Sequence, residues 1–306
     1  MNMPIQTNAD IKLENFDDFW GLGDPVEIEK KFRELLPQAK ALADPSTYLQ
    51  LLSQIALAQG IQKKFDAAHA TLDDAERFLT PEYNLARVRI LLERGRVFQQ
   101  AENLTEAMRF FVQSFELSSK HKFDFHTINA AHMIAIAAEK TEEKIKWNQL
   151  AIDLAQKTKE QRAHLWLGSL YNNLGQNFLE AKRFEKALDA FEKALKHRIE
   201  QSDVPNIRVA KWAVARTLRA LDRLDEALAI QLRLLEEYDA ITASGNLDMP
   251  AEMFTLIRGW VAEEVAEIYD AKAKIFAKLA YADLSTNAMF QKTEPARLER
   301  LRQIQG

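Results

Sequence analysis

Cysteine is absent from this 306-residue chain, which removes disulfide frameworks, thiolate zinc sites and cysteine nucleophiles together. Glycine and proline are scarce, at 9 and 8 residues, and they rarely interrupt the apolar-periodic stretches. Long helices are therefore favoured over many short strands. No uninterrupted apolar run reaches the roughly 18 residues that a membrane-spanning helix needs. Met1 to Asn15 has no basic segment followed by an apolar one. The expectation is a cytoplasmic protein with no membrane partner. Dense Lys/Arg runs are missing too: residues 1–80 carry 13 Asp and Glu against 8 Lys and Arg, and the rest of the chain 32 against 33. Nucleic-acid binding works by neutralising several phosphates at once, so no nucleic-acid partner is expected.

What the chain does have is 47% hydrophobic residues, ample for a continuous core, and an internal repeat. The repeated unit is a helix bearing a small residue, a short polar turn, then an aromatic residue or Leu followed by Glu/Asp-x-Ala. Four copies stand out: Ile55-Ala56 to Phe65-Asp66-Ala67-Ala68, Arg94-Gly95 to Leu104-Thr105-Glu106-Ala107, Leu174-Gly175 to Phe184-Glu185-Lys186-Ala187, and Val214-Ala215 to Leu224-Asp225-Glu226-Ala227. Each small residue precedes its Ala by 12 positions, and the copies follow one another at 39, 80 and 40 residues. The gap of 80 predicts a degenerate unit between, with helices around His126–Ala138 and Glu142–Lys157. The physical basis is close packing, in which Gly or Ala lets two helix backbones approach while Phe98, Phe111, Phe178 and Phe191 fill the space alongside. A single pair cannot bury its apolar face, so neighbouring pairs must stack.

These residues resemble the tetratricopeptide repeat family, above all Leu170-Tyr171-Asn172-Asn173-Leu174-Gly175-Gln176-Asn177-Phe178 and Lys186-Ala187-Leu188-Asp189-Ala190-Phe191. The period of about 40 exceeds the roughly 34 usual for the family and resembles a long-helix, bacterial-type variant. The resemblance implies an all-α, right-handed α-α superhelix of five to six helix pairs with capping helices at both ends. The expected layout is a tail (1–24), a capping helix (25–45, with Asp24-Pro25-Val26-Glu27 as its start), and a solenoid (46–243). The solenoid's pairs fall at 46–80, 82–119, 124–158, 160–201 and 205–243. An irregular sixth pair over 251–284 and a short terminal helix complete residues 250–306.

Catalytic constellations are missing. His121, His126 and His132 share a region, but only Asp124 accompanies them and there is no H-E-x-x-H. No phosphate-cradling glycine loop or G-x-S-x-G elbow occurs. Neither an enzyme nor a cofactor is expected.

The resemblance further implies that the first helix of each pair lines a concave groove. Positions about six and three residues before each small residue, and one and four after, form one helical stripe. It holds Arg89, Leu92, Arg96 and Gln99 in the second pair, His126 and Asn129 in the third, Asn172 and Gln176 in the fourth, and Trp212, Arg216 and Arg219 in the fifth. Arginines and amides suit a protein or an acidic, extended peptide; alternatively they satisfy one another, Glu93, Glu180 and water. The carboxylate-clamp subgroup is matched only at Asn173. In the tail, Phe16, Phe19 and Trp20 alternate with Asp17 and Asp18, either as a recognition element or as packing on the first helices. Trp147, Trp166 and Trp260 read as residues between helices. A scaffold or adaptor is the leading reading. A peptide-responsive sensor is the alternative, although residues 1–24 leave no room for the effector domain such regulators usually carry; a groove-borne enzyme is a third reading.

Overall fold

The computed structural model describes Phe16, Phe19, Trp20 and residues 23–305. Of the 1–24 tail, residues 1–15, Asp17, Asp18, 21 and 22 lie outside the described residues. The described residues are helical, with no strand among them, and they form two compact units, residues 1–177 and 178–306.

Unit 1 opens with α1 (Pro25–Lys40), which ends five residues before the 25–45 segment expected for the capping helix does. Asp24 caps it, its carboxylate accepting from Val26 N at 2.9 Å, and Pro25 takes the first position, where its missing N–H costs nothing. Helices α2 (Ser46–Ile61), α3 (Phe65–Arg77), α4 (Asn84–Gln100) and α5 (Leu104–Lys120) follow as two antiparallel pairs. The 80-residue gap holds α6 (Asp124–Ala137) and α7 (Thr141–Lys157). After the single turn α8 (Gln161–His164), α9 (Leu167–Glu180) carries the chain into unit 2. Unit 2 continues with α10 (Phe184–Glu200), α11 (Val204–Ala220) and α12 (Leu224–Ser244).

The small residues do what the repeat requires. A Cβ placed on Gly95 of α4 would lie 2.5 Å from the Phe111 ring and 3.2 Å from Ala107 O of α5. Only a glycine allows that approach, and Phe111 is fully buried in return. The turns share a second device. Lys63, Glu102, Lys182 and Asp222 adopt positive φ immediately after α2, α4, α9 and α11, and Lys122 and Ser202 do so after α5 and α10. In each case the next N–H reaches back five residues, as in Asn103 N to Phe98 O at 2.9 Å and Arg223 N to Leu218 O at 2.9 Å. The left-handed residue thus closes the helix and satisfies its last carbonyls. The α6–α7 connection lacks this device; Ala138 and Lys140 are extended.

One expectation is overturned. Residues 251–284 do not form a helix pair but a single helix, α13 (Ala251–Leu284, 34 residues). The reason is local: from Trp260 to Leu284 there is no Gly, Pro, Asn or Ser, and Ala, Glu, Lys, Leu and Ile dominate. Helix propensity therefore runs uninterrupted through this stretch. Phe254, Ile257, Val261, Glu264 and Ile268 recur at three and four residues and form its buried stripe. Phe254, Ile257 and Val261 meet Leu234 and Tyr238 of α12. Helices α14 (Ala288–Thr293) and α15 (Pro295–Gln305) follow, and Gln305 donates to Ala277 O of α13 at 3.3 Å.

Candidate functional site

In unit 1 the predicted stripe forms a chain of polar contacts that crosses three helices. Trp20 Nε1 donates to Gln54 Oε1 (2.8 Å), and Gln54 Nε2 donates to Glu93 Oε1 (3.1 Å). Arg96 donates to Glu93 Oε2 (3.1 Å) and, through Nη2, to Asn129 Oδ1 of α6 (2.8 Å). Only 4% of the Glu93 side chain and 18% of the Arg96 side chain are exposed. A carboxylate this buried is tolerated because an arginine and an amide both donate to it. Arg89 is 6% exposed and its guanidinium lies 4.9 Å from the Phe16 ring centroid, a cation–π contact. Phe16, Phe19 and Trp20 all pack around Phe32 of α1, with ring centroids at 6.2, 5.6 and 5.7 Å. The described aromatics of the tail therefore cover the first two helices and Arg89. Leu92, another stripe residue, belongs to the core with Ala107, Phe111 and Ala130, while Gln99 is half-buried.

The three clustered histidines go separate ways. His121 stacks on Phe123, and His126 is buried edge-on to Phe125. His132 is buried beside Trp166, with Asn173 Nδ2 3.4 Å from its Nδ1. Burial, with the positive charge of Arg96 second, pushes the His132 imidazole down to about 4, so it stays neutral at ordinary pH. Among the described residues no group of three or more His, Asp and Glu could hold a metal ion. On α9, Asn172 and Gln176 are half-buried, and Asn177 accepts from Asn148 Nδ2 at 2.9 Å.

Unit 2 builds its stripe differently. Arg219 of α11 grips Glu264 of α13 with two bonds, Nε to Oε2 at 2.7 Å and Nη2 to Oε1 at 3.1 Å. That hydrogen-bonded carboxylate raises the arginine's pKa further. Arg216, one turn earlier, reaches Glu264 only at 3.6 Å and lies over the Trp212 ring, 5.4 Å from its centroid. Its side chain is 37% exposed. Trp212 in turn leans on Trp260 of α13 (centroids 5.5 Å apart, 30° between planes) and donates its indole N–H to Trp260 O at 3.3 Å. Trp260 therefore sits between α13 and α11 with 36% of its surface exposed.

Sequence reasoning missed Glu264 and also Arg208, whose buried guanidinium holds Asp248 at 2.6 and 2.8 Å above the Tyr238 ring. That contact ties the Gly245–Pro250 connection to α11. Partners 40 and 45 residues away leave no periodic trace.

The family model for tetratricopeptide repeats matches residues 168–199, which span the end of the fourth pair's first helix and most of its second. The solved structures that resemble the chain are helical repeats as well. BtubC (BKLC) from P. vanneervenii is 17% identical over 79% of this chain and 95% of its own, with a TM-score of 0.57. Residues 168–199 thus carry a tetratricopeptide repeat. A signal-transduction ATPase with a tetratricopeptide repeat sensor, from Pyrococcus horikoshii, is 17% identical over 89% of this chain but 44% of its own, with a TM-score of 0.59. RapI in its apo form is 13% identical over 84% of this chain and 97% of its own, with a TM-score of 0.52. At these identities the likeness shows the fold, which is of the tetratricopeptide-like solenoid class. No curated protein matched the sequence. No helix among the described residues is long and apolar enough to cross a membrane.

Proposed function

We propose that this tetratricopeptide-repeat protein is a binding module for a protein or peptide bearing carboxylates, engaged through the first-helix stripe. The observation that carries the reading is the pair Arg216 and Arg219. Arg219 already holds a carboxylate in bidentate geometry, and Arg216 beside it is partly exposed and approaches that carboxylate only at 3.6 Å. A planar guanidinium backed by an indole face is well suited to a second carboxylate. Within unit 1, Asn172 and Gln176 of α9 are half-buried and are separate candidates for hydrogen bonds to an extended backbone. Arg89, Arg96 and Asn129 are engaged within unit 1, so their part in the module is to keep α2, α4 and α6 in register. The reading involves neither catalysis nor a cofactor.

Affinity capture from native lysate, with retained proteins identified by mass spectrometry, tests it. A partner held by wild type and by Arg216→Lys, but lost by folded Arg216→Glu, is the expected result. Identical captured sets for all three would overturn the role of the stripe. A peptide-responsive sensor is a second reading, supported by the likeness to the P. horikoshii sensor repeats. It requires a change in small-angle scattering when ligand saturates the protein.

A further inference from the structure

The buried stripe of α13 accounts for one side of that helix only. Met253, Leu256 and Trp260 recur at three and four residues on another side, and they are 48%, 48% and 36% exposed. Through Trp260 this row meets Trp212 of α11, so four large apolar side chains form one continuous surface within unit 2. Its edge carries Arg216. Exposed apolar groups scattered singly need no explanation, but a tryptophan pair continued by Leu and Met and edged by a cation is the composition of an interaction hot spot.

The charges choose the partner. Both oxygens of Glu264 are taken by Arg219, so the Arg216 charge is only partly offset, from 3.6 Å. Further along α13, Glu263 and Glu267 are exposed, and Glu267 approaches Arg219 at 3.7 Å. A ligand carboxylate is therefore attracted at the α11 side of the surface and repelled towards the middle of α13. The distance sets the spacing: the Arg216 guanidinium is 5.4 Å from the Trp212 centroid and the two indole centroids are 5.5 Å apart. An extended chain advances about 3.3 Å per residue.

We infer that Trp212, Trp260, Leu256 and Met253 seat a large apolar side chain of a bound peptide, while Arg216 pairs with an Asp or Glu within about three residues of it. This rests on the peptide-binding reading above and names its occupant. The aromatic surface supplies burial, and Arg216 selects acid over amide or base.

The test is selection of a random 12-residue peptide display library on the full chain. Enriched peptides are then titrated by fluorescence anisotropy against wild type, Trp260→Ala, Leu256→Asp, Arg216→Glu and Asn172→Ala/Gln176→Ala. Leu256→Asp changes a side chain exposed enough to spare the fold, so it stands in if Trp260→Ala unfolds. The expected result is enrichment of Leu, Phe or Trp close to Asp or Glu, with binding weakened about ten-fold or more by each of the first three variants. Enriched peptides indifferent to those three but weakened by the α9 double variant would overturn this site and leave the peptide-binding reading standing. No enrichment at all would remove both. A concentration-dependent dimer in light scattering that Leu256→Asp abolishes would assign the surface to a second copy of the chain and overturn the peptide occupant.

Discussion

Two arginine-bearing helices hold corresponding places in the repeat, α4 in unit 1 and α11 in unit 2, and they use the residue for opposite ends. Arg96 meets a carboxylate from its own helix, Glu93, in a nearly closed setting. Arg219 meets one 45 residues away, and its neighbour Arg216 reaches the same carboxylate only at 3.6 Å, with 37% of its side chain exposed. Residue type and stripe position alone therefore do not identify a ligand-binding arginine; what decides is where its carboxylate comes from and how closely each guanidinium is held by it. In α4 the ions are committed to the fold, whereas in α11 one is proposed to serve a partner.

The largest expected difference is in stability. Arg96→Glu would leave Glu93 facing a second buried carboxylate and should cost about 3–5 kcal/mol in urea unfolding. Arg216→Glu, exposed and outside hydrogen-bond range, should cost less than about 1 kcal/mol. Equal losses would erase the distinction between the two helices.

Next comes acidity. The neutral His132 of unit 1 titrates near 4 when folded and near 6.5 when unfolded. Because the unfolded chain binds the proton more readily, stability is complete above about pH 6.5 and is lost as pH falls towards about 4, by up to roughly 3 kcal/mol. His132→Gln should flatten that slope between pH 6.5 and 4 relative to wild type. Parallel curves would show that the imidazole is not held neutral by the α6 surroundings.

A smaller contrast concerns the small residue itself. Gly95 of α4 has the Phe111 ring against it, and Ala215 of α11 already carries a methyl group in the corresponding place. Gly95→Ala should destabilise by about 1–3 kcal/mol through overpacking, against about 1 kcal/mol for Ala215→Gly through helix propensity. Thermal unfolding of the two single variants reads both. The smallest effect is a gain: Glu102→Gly and Asp222→Gly relieve left-handed strain at equivalent turns of the two units. Each should add about 0.5–1 kcal/mol, and a loss at either would show that its side chain serves the turn.

The fold was legible because its determinants are local and periodic. A small residue and an Ala twelve positions later report one close contact between two helices, and the interval of 80 located α6 and α7 although neither keeps the marker residues. The same reasoning failed at α13. An irregular pair was expected around Ala273 and Ala280, but from Trp260 to Leu284 no Gly, Pro, Asn or Ser interrupts a run of good helix formers, and the helix continues. The stripe was legible as a set of positions on first helices. Its chemistry was not, because Glu264, Asp248 and Phe16 are brought to Arg219, Arg208 and Arg89 by tertiary packing across 40 residues or more. The aromatic surface was half-visible in Trp212, while Leu256 and Met253 join it only because α13 is continuous and exposes that side.

The central claim is that Arg216 serves a ligand while the arginines of α4 serve the fold. The most direct test titrates the strongest peptide from the display selection against wild type and Arg216→Glu, with urea midpoints recorded for both proteins. The account predicts an affinity weakened about ten-fold or more with the midpoint unchanged. Unchanged affinity, or a midpoint that falls as far as that of Arg96→Glu, would contradict it.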